Sequence, residues 1–399
     1  MWFNGLLDLS VMQLILVTLG MTHVTIVSVT LYLHRHSAHN SLDLHTALKH
    51  FFRFWLWLTT AQNTKEWTAI HRKHHAKCET EEDPHSPVVL GIRKVLFQGA
   101  ELYAESATPE TLERYGQRTP EDWVERNVYS RYKMLGIALM AVINLALFGV
   151  HGIWIWAVQM MWIPVWAAGV VNGIGHWMGY RNYECADNAR NISPLGLLIG
   201  GEELHNNHHT YPNSSKLSRR WFEVDIGWGY IRLFQLFGLA TPKGYRPIAH
   251  YVPGKQEVDV ETVQAIANNR FDIMRQYRKR VMEPVLRQQK ALMDDEIRPR
   301  YRSIKRLLSR EITLIKPAEK VHLETALESN QALRQIYQMS HELQALWRRR
   351  GVKPQEKLQA LMQWCREAEA SGIRYLEDFA AHLRAYSLRL SRRPPLCIY

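Results

Sequence analysis

Apolar residues fall into a few long runs early in the chain, and they recur at helical spacing near its end. Val11 to Leu33 is uncharged and long enough to span a bilayer, since roughly 20 helical residues cross the hydrocarbon core. No basic residues precede it and no small-residue cleavage motif follows, so it reads as a span and not as a signal peptide. Leu135 to Val150 and Ile153 to Val171 are two further runs, joined at His151 and Gly152. They predict a helical hairpin through the membrane, with Trp154, Trp156, Trp162 and Trp166 at interface positions or along an acyl channel. Phe51 to Ala61 is apolar but short, and Arg53 interrupts it. It predicts a helix lying at the interface, as does the short Leu195 to Ile199 segment.

From about Gln256 the pattern changes. Leu333, Ile336 and Tyr337, then Leu343, Leu346 and Trp347, recur at helical spacing. Leu358, Leu361, Met362 and Cys365 repeat the pattern, as do Leu376, Phe379, Ala380 and Leu383. Pro317, Gly351 with Pro354, and Ser371 with Gly372 punctuate between helices. The expected architecture is an all-α integral membrane protein with about three spans, interfacial helices and a cytosolic cap. Residues 1–255 form the membrane domain, and residues 256–399 form a soluble tail of four or five helices.

Charge sharpens this division. Residues 1–240 are balanced, so the net charge of +12 lies in the remainder. A basic tail suits anionic lipid, an acidic partner or nucleic acid. Arg35, Lys49, Arg53, Lys65, Arg72 and Lys73 fall on the proposed inner side, as the positive-inside bias expects. Cys78, Cys185, Cys365 and Cys397 form neither a CxxC pair nor a disulfide framework, so reduced thiols are expected.

Histidine carries the chemistry. His71, His74 and His75 crowd into HRKHH, and His205, His208 and His209 repeat the spacing in HNNHH. HRHSAH adds His34 and His39. On a helix His71 and His75 share a face while His74 sits about 100° from His75, so one turn can serve two metals. Were Phe51 to Ala61 to cross the membrane, the first two boxes would lie on opposite sides and share nothing. Asn172 and His176, four apart at the inner end of the last span, are costly there unless functional. Glu66, Asp83, Glu202 and Glu203 lie near the boxes and suit carboxylates that orient imidazole rings. The isolated His23, His45, His50, His85 and His151 read as structural, and His36 is left out of the ligand set.

HRHSAH, HRKHHAKCETEEDPHSP, NGIGH and GGEELHNNHHTYP together resemble the boxes of membrane fatty acyl desaturases, most closely the bacterial Δ9 acyl-CoA type. The resemblance covers roughly residues 10–245. It implies a non-haem di-iron centre and an O2-dependent oxidoreductase that places a cis double bond in a saturated, long-chain acyl-CoA. The implied iron ligands are His34, His39, His71, His74, His75, His176, His205, His208 and His209, with Asn172 acting through water. Trp67 matches an aromatic residue of the acyl tunnel. Ala69 and Ile70 stand where animal relatives carry polar residues near coenzyme A. A separate electron donor is implied, ferredoxin-like or an NAD(P)H-dependent reductase. The implied location is the bacterial inner membrane with the boxes facing the cytoplasm. Rival readings are a hydroxylase or alkane monooxygenase on the same metals, a desaturase of phospholipid-bound chains, and a histidine-rich metal transporter. The stretch LMQWCREAEASGIRYLEDFAAHLRAYS faintly resembles the carboxy-terminal helices of some insertion-sequence transposases. Nucleic acid is nonetheless not among the expected partners, and a docking platform for the electron donor or a membrane-surface anchor are the other readings of the tail.

Overall fold

A computed structural model describes residues 3–243, 249–290, 298–348 and 351–388. The chain divides into two compact units, Met1–Asn182 with Asp187–Arg246, and Tyr183–Ala186 with Pro247–Tyr399. The division falls earlier than the expected boundary after residue 255.

In the first unit, α1 (Val11–Ser28) begins at a capping box, with Gln13 N–H on the Ser10 hydroxyl and Ser10 N–H on Gln13 Oε1. It runs on as π-helical turns over Val29–Ala38. β1 (Leu42–Leu44), α2 (Thr46–Thr60) and α3 (Thr64–Lys77) follow. Asn63 caps α3, its side-chain oxygen accepting from Lys65 N (2.8 Å) and Glu66 N (3.2 Å). α4 (Ile92–Ser106) leads to α5 (Lys133–Phe148) and α6 (His151–Ile163), which continues as π-helical turns over Pro164–Ile174. β2 (Leu195–Gly196), α7 (His205–Thr210), β3 (Val224–Asp225), α8 (Ile226–Leu236) and β4 (Ala240–Pro242) complete the unit.

Among the described residues two helices, Val11–Ala38 and His151–Ile174, are long and apolar enough to cross a membrane. α5, the third expected span, is a shorter apolar helix. It packs against α6, where Asn144 Nδ2 donates to Gln159 Oε1 (2.8 Å) in a buried clasp. A Cβ on Gly152 would stand 2.1 Å from the Asn144 carbonyl oxygen, so only glycine permits this approach.

One expectation is refined. The fold is not purely α: β1 pairs antiparallel with β4, and β2 parallel with β3. Strands of two or three residues are too short to show alternation in sequence. Two of the basic residues expected on the inner side of the membrane, Arg35 and Arg53, are buried within the protein. Arg53 is 5% exposed. Its guanidinium donates to Asp122 (2.6 Å) and Glu125 (2.8 Å), tying α2 to the 122–125 segment. Arg35 is 1% exposed and donates to Asp225 Oδ1 (2.8 Å) and to the carbonyls of Gly200 (3.0 Å) and Ser215 (2.9 Å). Arg72 donates to the carbonyls of Ser37, Ala38, Tyr115 and Gln117.

The second unit is helical and has its own apolar core. β5 (Ala249–Tyr251), α9 (Val260–Asn268) and α10 (Arg270–Tyr277) come first, and helical turns continue from α10 to Gln289. α11 (Tyr301–Leu307), α12 (Pro317–Glu328), α13 (Gln331–Arg348), α14 (Pro354–Glu369), α15 (Arg374–Arg384) and β6 (Tyr386–Leu388) follow. β5 and β6 pair antiparallel. The core gathers Ile273, Tyr277, Leu333, Ile336, Trp364 and Phe379 among others. The Tyr277 hydroxyl donates to Ile336 O (2.7 Å) and Trp364 Nε1 to Met339 O (2.8 Å), so each polar tip is satisfied inside. The unit holds more helices than the expected four or five, because α9 and α10 interleave charged residues among their apolar ones. Met362, assigned to a buried stripe, is 40% exposed, and Trp364 takes the interior position. Cys397 and residues 349–350 lie outside the described residues.

Candidate metal centre and cavity

Four elements deliver nine imidazoles to one place. The π-helical end of α1 brings His34 and His39. On an α-helix five residues subtend about 140°, which would splay these two rings apart. In the wider turn His39 N–H bonds His34 O (3.1 Å), and the ring centroids come to 4.8 Å. α3 carries His71, His74 and His75, the segment after α6 carries His176, and α7 carries His205, His208 and His209.

The rings sort into two groups. The metal-binding nitrogens of His34, His39, His71 and His208 lie within 4.8 Å of one another, as do those of His74, His176, His205 and His209. His75 joins the first group through an Nε2 to Nε2 distance of 2.9 Å to His208. Other such distances are 2.7 Å for His39 and His71, 3.0 Å for His34 and His208, 3.0 Å for His176 and His205, and 3.4 Å for His74 and His209. A first-row ion that binds imidazole at about 2.1 Å, with neighbouring ligands roughly perpendicular, sets nitrogens about 3 Å apart.

Carboxylates behind the rings decide which nitrogen is free. His74 Nδ1 meets Asp83 (2.9 Å), His176 Nδ1 meets Glu79 (3.3 Å) and His209 Nδ1 meets Asp187 (3.1 Å). His34 Nδ1 lies 2.8 Å from Glu202. Asp83, Glu79 and Asp187 select the tautomer with hydrogen on Nδ1 in their three rings, which leaves those Nε2 lone pairs bare and facing inward, whereas Glu202 accepts from the Thr30 hydroxyl (2.6 Å). Bare lone pairs at 3.0–3.4 Å repel unless a cation sits among them. Neutral imidazole with carboxylate behind it suits iron, zinc, copper or nickel.

Of the four carboxylates named from sequence, Asp83 and Glu202 stand behind rings. Glu66 instead pairs with Lys133. Glu203 accepts from the backbone N–H groups of Leu198, Ile199 and Gly201, shaping the loop before α7. Glu79 and Asp187 were not anticipated. No short-range motif links them to His176 and His209, whose positions are set by the fold. His36 stands apart, its Nδ1 against the Leu42 carbonyl (2.8 Å). His85, read as structural, stacks near His74 at 4.3 Å and lines the cavity described below. Burial pushes its imidazole down to about 3.

Burial, reinforced by neighbouring imidazoles, also holds His39, His71, His75, His205, His208 and His209 well below the ordinary value of 6.5. All six are therefore neutral and ready as ligands at pH 7. In the unfolded chain they take up protons below about pH 6.5, so there the unfolded state binds more protons and stability rises with pH. Metal-free protein is thus expected to lose thermal stability steadily from pH 7 to pH 5. A melting temperature that holds constant or rises over that interval would contradict the neutral assignment.

A cavity of about 760 Å³ opens beside the rings. Its wall includes Val29, Trp67, Ile70, Ile163, Val171 and Ile199, and it reaches His34, His71 and His205. Trp67 stacks on His71 at 4.8 Å, which places its indole between the apolar wall and the imidazoles. Asn172 lines the same cavity. α4 seals one side by packing closely on Pro164–Ile174: a Cβ on Gly99 would stand 2.7 Å from the Ala168 backbone. An apolar cavity of this size holds a molecule of tens of heavy atoms.

The family described as fatty acid desaturase matches residues 10–241, which include every box. The chain belongs to the fatty acid desaturase family. Residues 262–392, within the second unit, match a family described as transposase. Among curated proteins, a probable lipid desaturase of the chloroplast from Arabidopsis thaliana is 29% identical, over 54% of this chain and 59% of its own length. Delta-9 acyl-lipid desaturase 1 of the same plant is 27% identical, over 53% of this chain and 69% of its own. An sn-1 stearoyl-lipid 9-desaturase from Anabaena variabilis is 28% identical, over 53% of this chain and 77% of its own. The chain thus spans little more than half the length of the first of these relatives, and its similarity to them occupies about half of its own.

Proposed function

We propose that this chain holds two non-haem irons through its nine histidines and desaturates a saturated acyl chain with O2, leaving a cis double bond at Δ9. The observation that supports it most is the convergence of nine imidazoles, in two groups, beside an apolar cavity that reaches His34, His71 and His205. Bound there, a di-iron pair supplies the oxidant that removes hydrogen from an unactivated methylene. His34, His39, His71, His75 and His208 would hold one ion. His74, His176, His205 and His209 would hold the other, with Asn172 acting through water.

The protein's own part is geometry. Trp67, Ile70 and Val171 confine the chain so that one methylene pair faces the imidazoles, and confinement of this kind sets which carbon reacts. The buried wall excludes water, and the carboxylates Asp83, Glu79 and Asp187 keep Nδ1 of His74, His176 and His209 protonated and those rings fixed. The electron donor is a separate protein, ferredoxin-like or an NAD(P)H-dependent reductase, reaching the centre from the cytoplasmic side of the inner membrane. The basic second unit is proposed as its docking platform.

For the acyl carrier we favour a membrane glycerolipid over the coenzyme A thioester implied by the sequence resemblance. The relatives bear names of acyl-lipid enzymes. Ala69 and Ile70 are buried at 0% and 1% exposure, so neither presents a polar surface to a nucleotide. A bacterial host that makes no unsaturated acid of its own, expressing this chain in air, should accumulate a cis-9 acid in its phospholipids. A saturated profile under air with a competent donor would overturn the assignment, and a hydroxy acid would favour the hydroxylase reading.

A further inference from the structure

The cavity is apolar along most of its wall but not throughout. Thr60, Gln62, Glu66, Tyr103 and Lys133 also line it. Two polar atoms there are buried and have no partner, the Tyr103 hydroxyl and Gln62 Oε1. A buried phenol or amide without a hydrogen bond is costly, and in a ligand cavity it marks where a polar group of the ligand belongs. Enclosure of the Tyr103 hydroxyl, with the Glu66 carboxylate nearby as the lesser cause, keeps the phenol protonated. Tyr103 is therefore a donor awaiting an acceptor. Lys133 pairs with Glu66, yet its side chain is 37% exposed, and an ammonium has three N–H donors. One carboxylate leaves it capacity for a second anion.

This polar group sits at the mouth of the cavity. Ala104 lines the cavity and is exposed outside it. Met134, another lining residue, is 68% exposed in the first turn of the apolar helix α5. Lys133 marks the start of α5, where that helix leaves the polar region. An exposed methionine at the start of an apolar helix therefore borders the opening. The opposite reaches of the cavity are buried imidazole and aliphatic wall.

We infer that Tyr103, Gln62 and Lys133 form the subsite for the polar end of a membrane glycerophospholipid. The Tyr103 hydroxyl donates to the acyl ester carbonyl, Lys133 faces the phosphate, and the acyl chain runs inward past Trp67. The inference rests on the desaturase reading and specifies the substrate of that same site. A carbonyl followed by a phosphate is chemistry that a coenzyme A thioester shares. What separates the two is entry beside an exposed methionine on an apolar helix, which favours a ligand already in the bilayer. Fixing the carbonyl would fix the distance from ester to reacting methylenes, so Tyr103 acts as a positioning and specificity-determining residue.

The test uses the full-length protein in mild detergent. Brominated acyl chains quench nearby indoles, and Trp67 and Trp156 both line the cavity. Titration with dibromostearoyl phosphatidylglycerol should quench the wild type. Y103F and K133M should each weaken binding about tenfold, the loss of one hydrogen bond to a polar or charged group. Dibromostearoyl-CoA should bind more weakly than the phospholipid. In producing cells Y103F should scatter the double bond over neighbouring positions, which a merely structural defect would not do. Equal affinities for wild type and Y103F, with an unscattered double bond, would overturn the subsite while leaving the desaturase reading intact. Tighter binding of the thioester would overturn the lipid source. A wild type that makes no double bond in cells with a competent donor would overturn the reading on which the inference rests.

Discussion

Replacing His75 by alanine is expected to abolish the double bond, lowering product at least a thousandfold, to background. His75 Nε2 lies 2.9 Å from His208 Nε2, and its ring centroid lies 4.7 Å from both His39 and His71. Its other face stacks on His209 at 4.4 Å. It therefore lies against both groups, and its loss opens the first while loosening the second. Removing a ligand also removes charge-neutral packing at the heart of the site, so folding must be checked. Fatty-acid profiles of cells making equal, membrane-inserted amounts of wild type and His75→Ala measure the effect. Retention of even a tenth of wild-type product by the variant would remove His75 from the centre.

Arg35→Met is expected to destabilise the first unit by about 3–5 kcal/mol, the cost of leaving a buried carboxylate without its cation. Asp225, the abandoned partner, also accepts from Trp228 N (2.9 Å) at the start of α8 and from Leu217 N (2.7 Å). Arg35 further binds the Gly200 and Ser215 carbonyls, so one guanidinium joins the first box to loops on both sides of the third. The surroundings are built to its shape. A Cβ on Gly227 would stand 2.7 Å from Arg35 Nη2, and one on Gly201 2.4 Å from Asp225 Oδ1. The denaturant midpoint of helix loss in mild detergent, wild type against variant, measures the effect. A shift worth less than about 1 kcal/mol would show that this pair behaves like a surface ion pair.

Much of the site is legible in the sequence because imidazole is distinctive and the boxes repeat. The nine histidines named from spacing are the nine that the structure brings together. The need for the first two boxes to meet also assigned α2 to one side of the membrane, and His39 does meet His71 at 2.7 Å. Less legible is whatever depends on distant pairing. Glu79 reaches His176 across 97 residues, and nothing near either residue announces it. The π-helical turns that align His34 with His39 leave no hydrophobic signature, since their effect is on angle and not on which face is apolar. Arg35 and Arg53 look like surface charges because sequence alone shows no partner. In the second unit the regular stripes of α13 to α15 are readable, whereas the charged, shorter helices around Asp272 and Arg278 are not.

The central claim is that two ions sit among these imidazoles. Its most direct test is iron analysis with Mössbauer spectroscopy on active, full-length protein purified from iron-enriched cells. The account predicts two irons per chain with nitrogen-rich, non-haem signatures, and loss of both signals on chelation together with activity. Active protein holding one iron, zinc alone or no metal would contradict it.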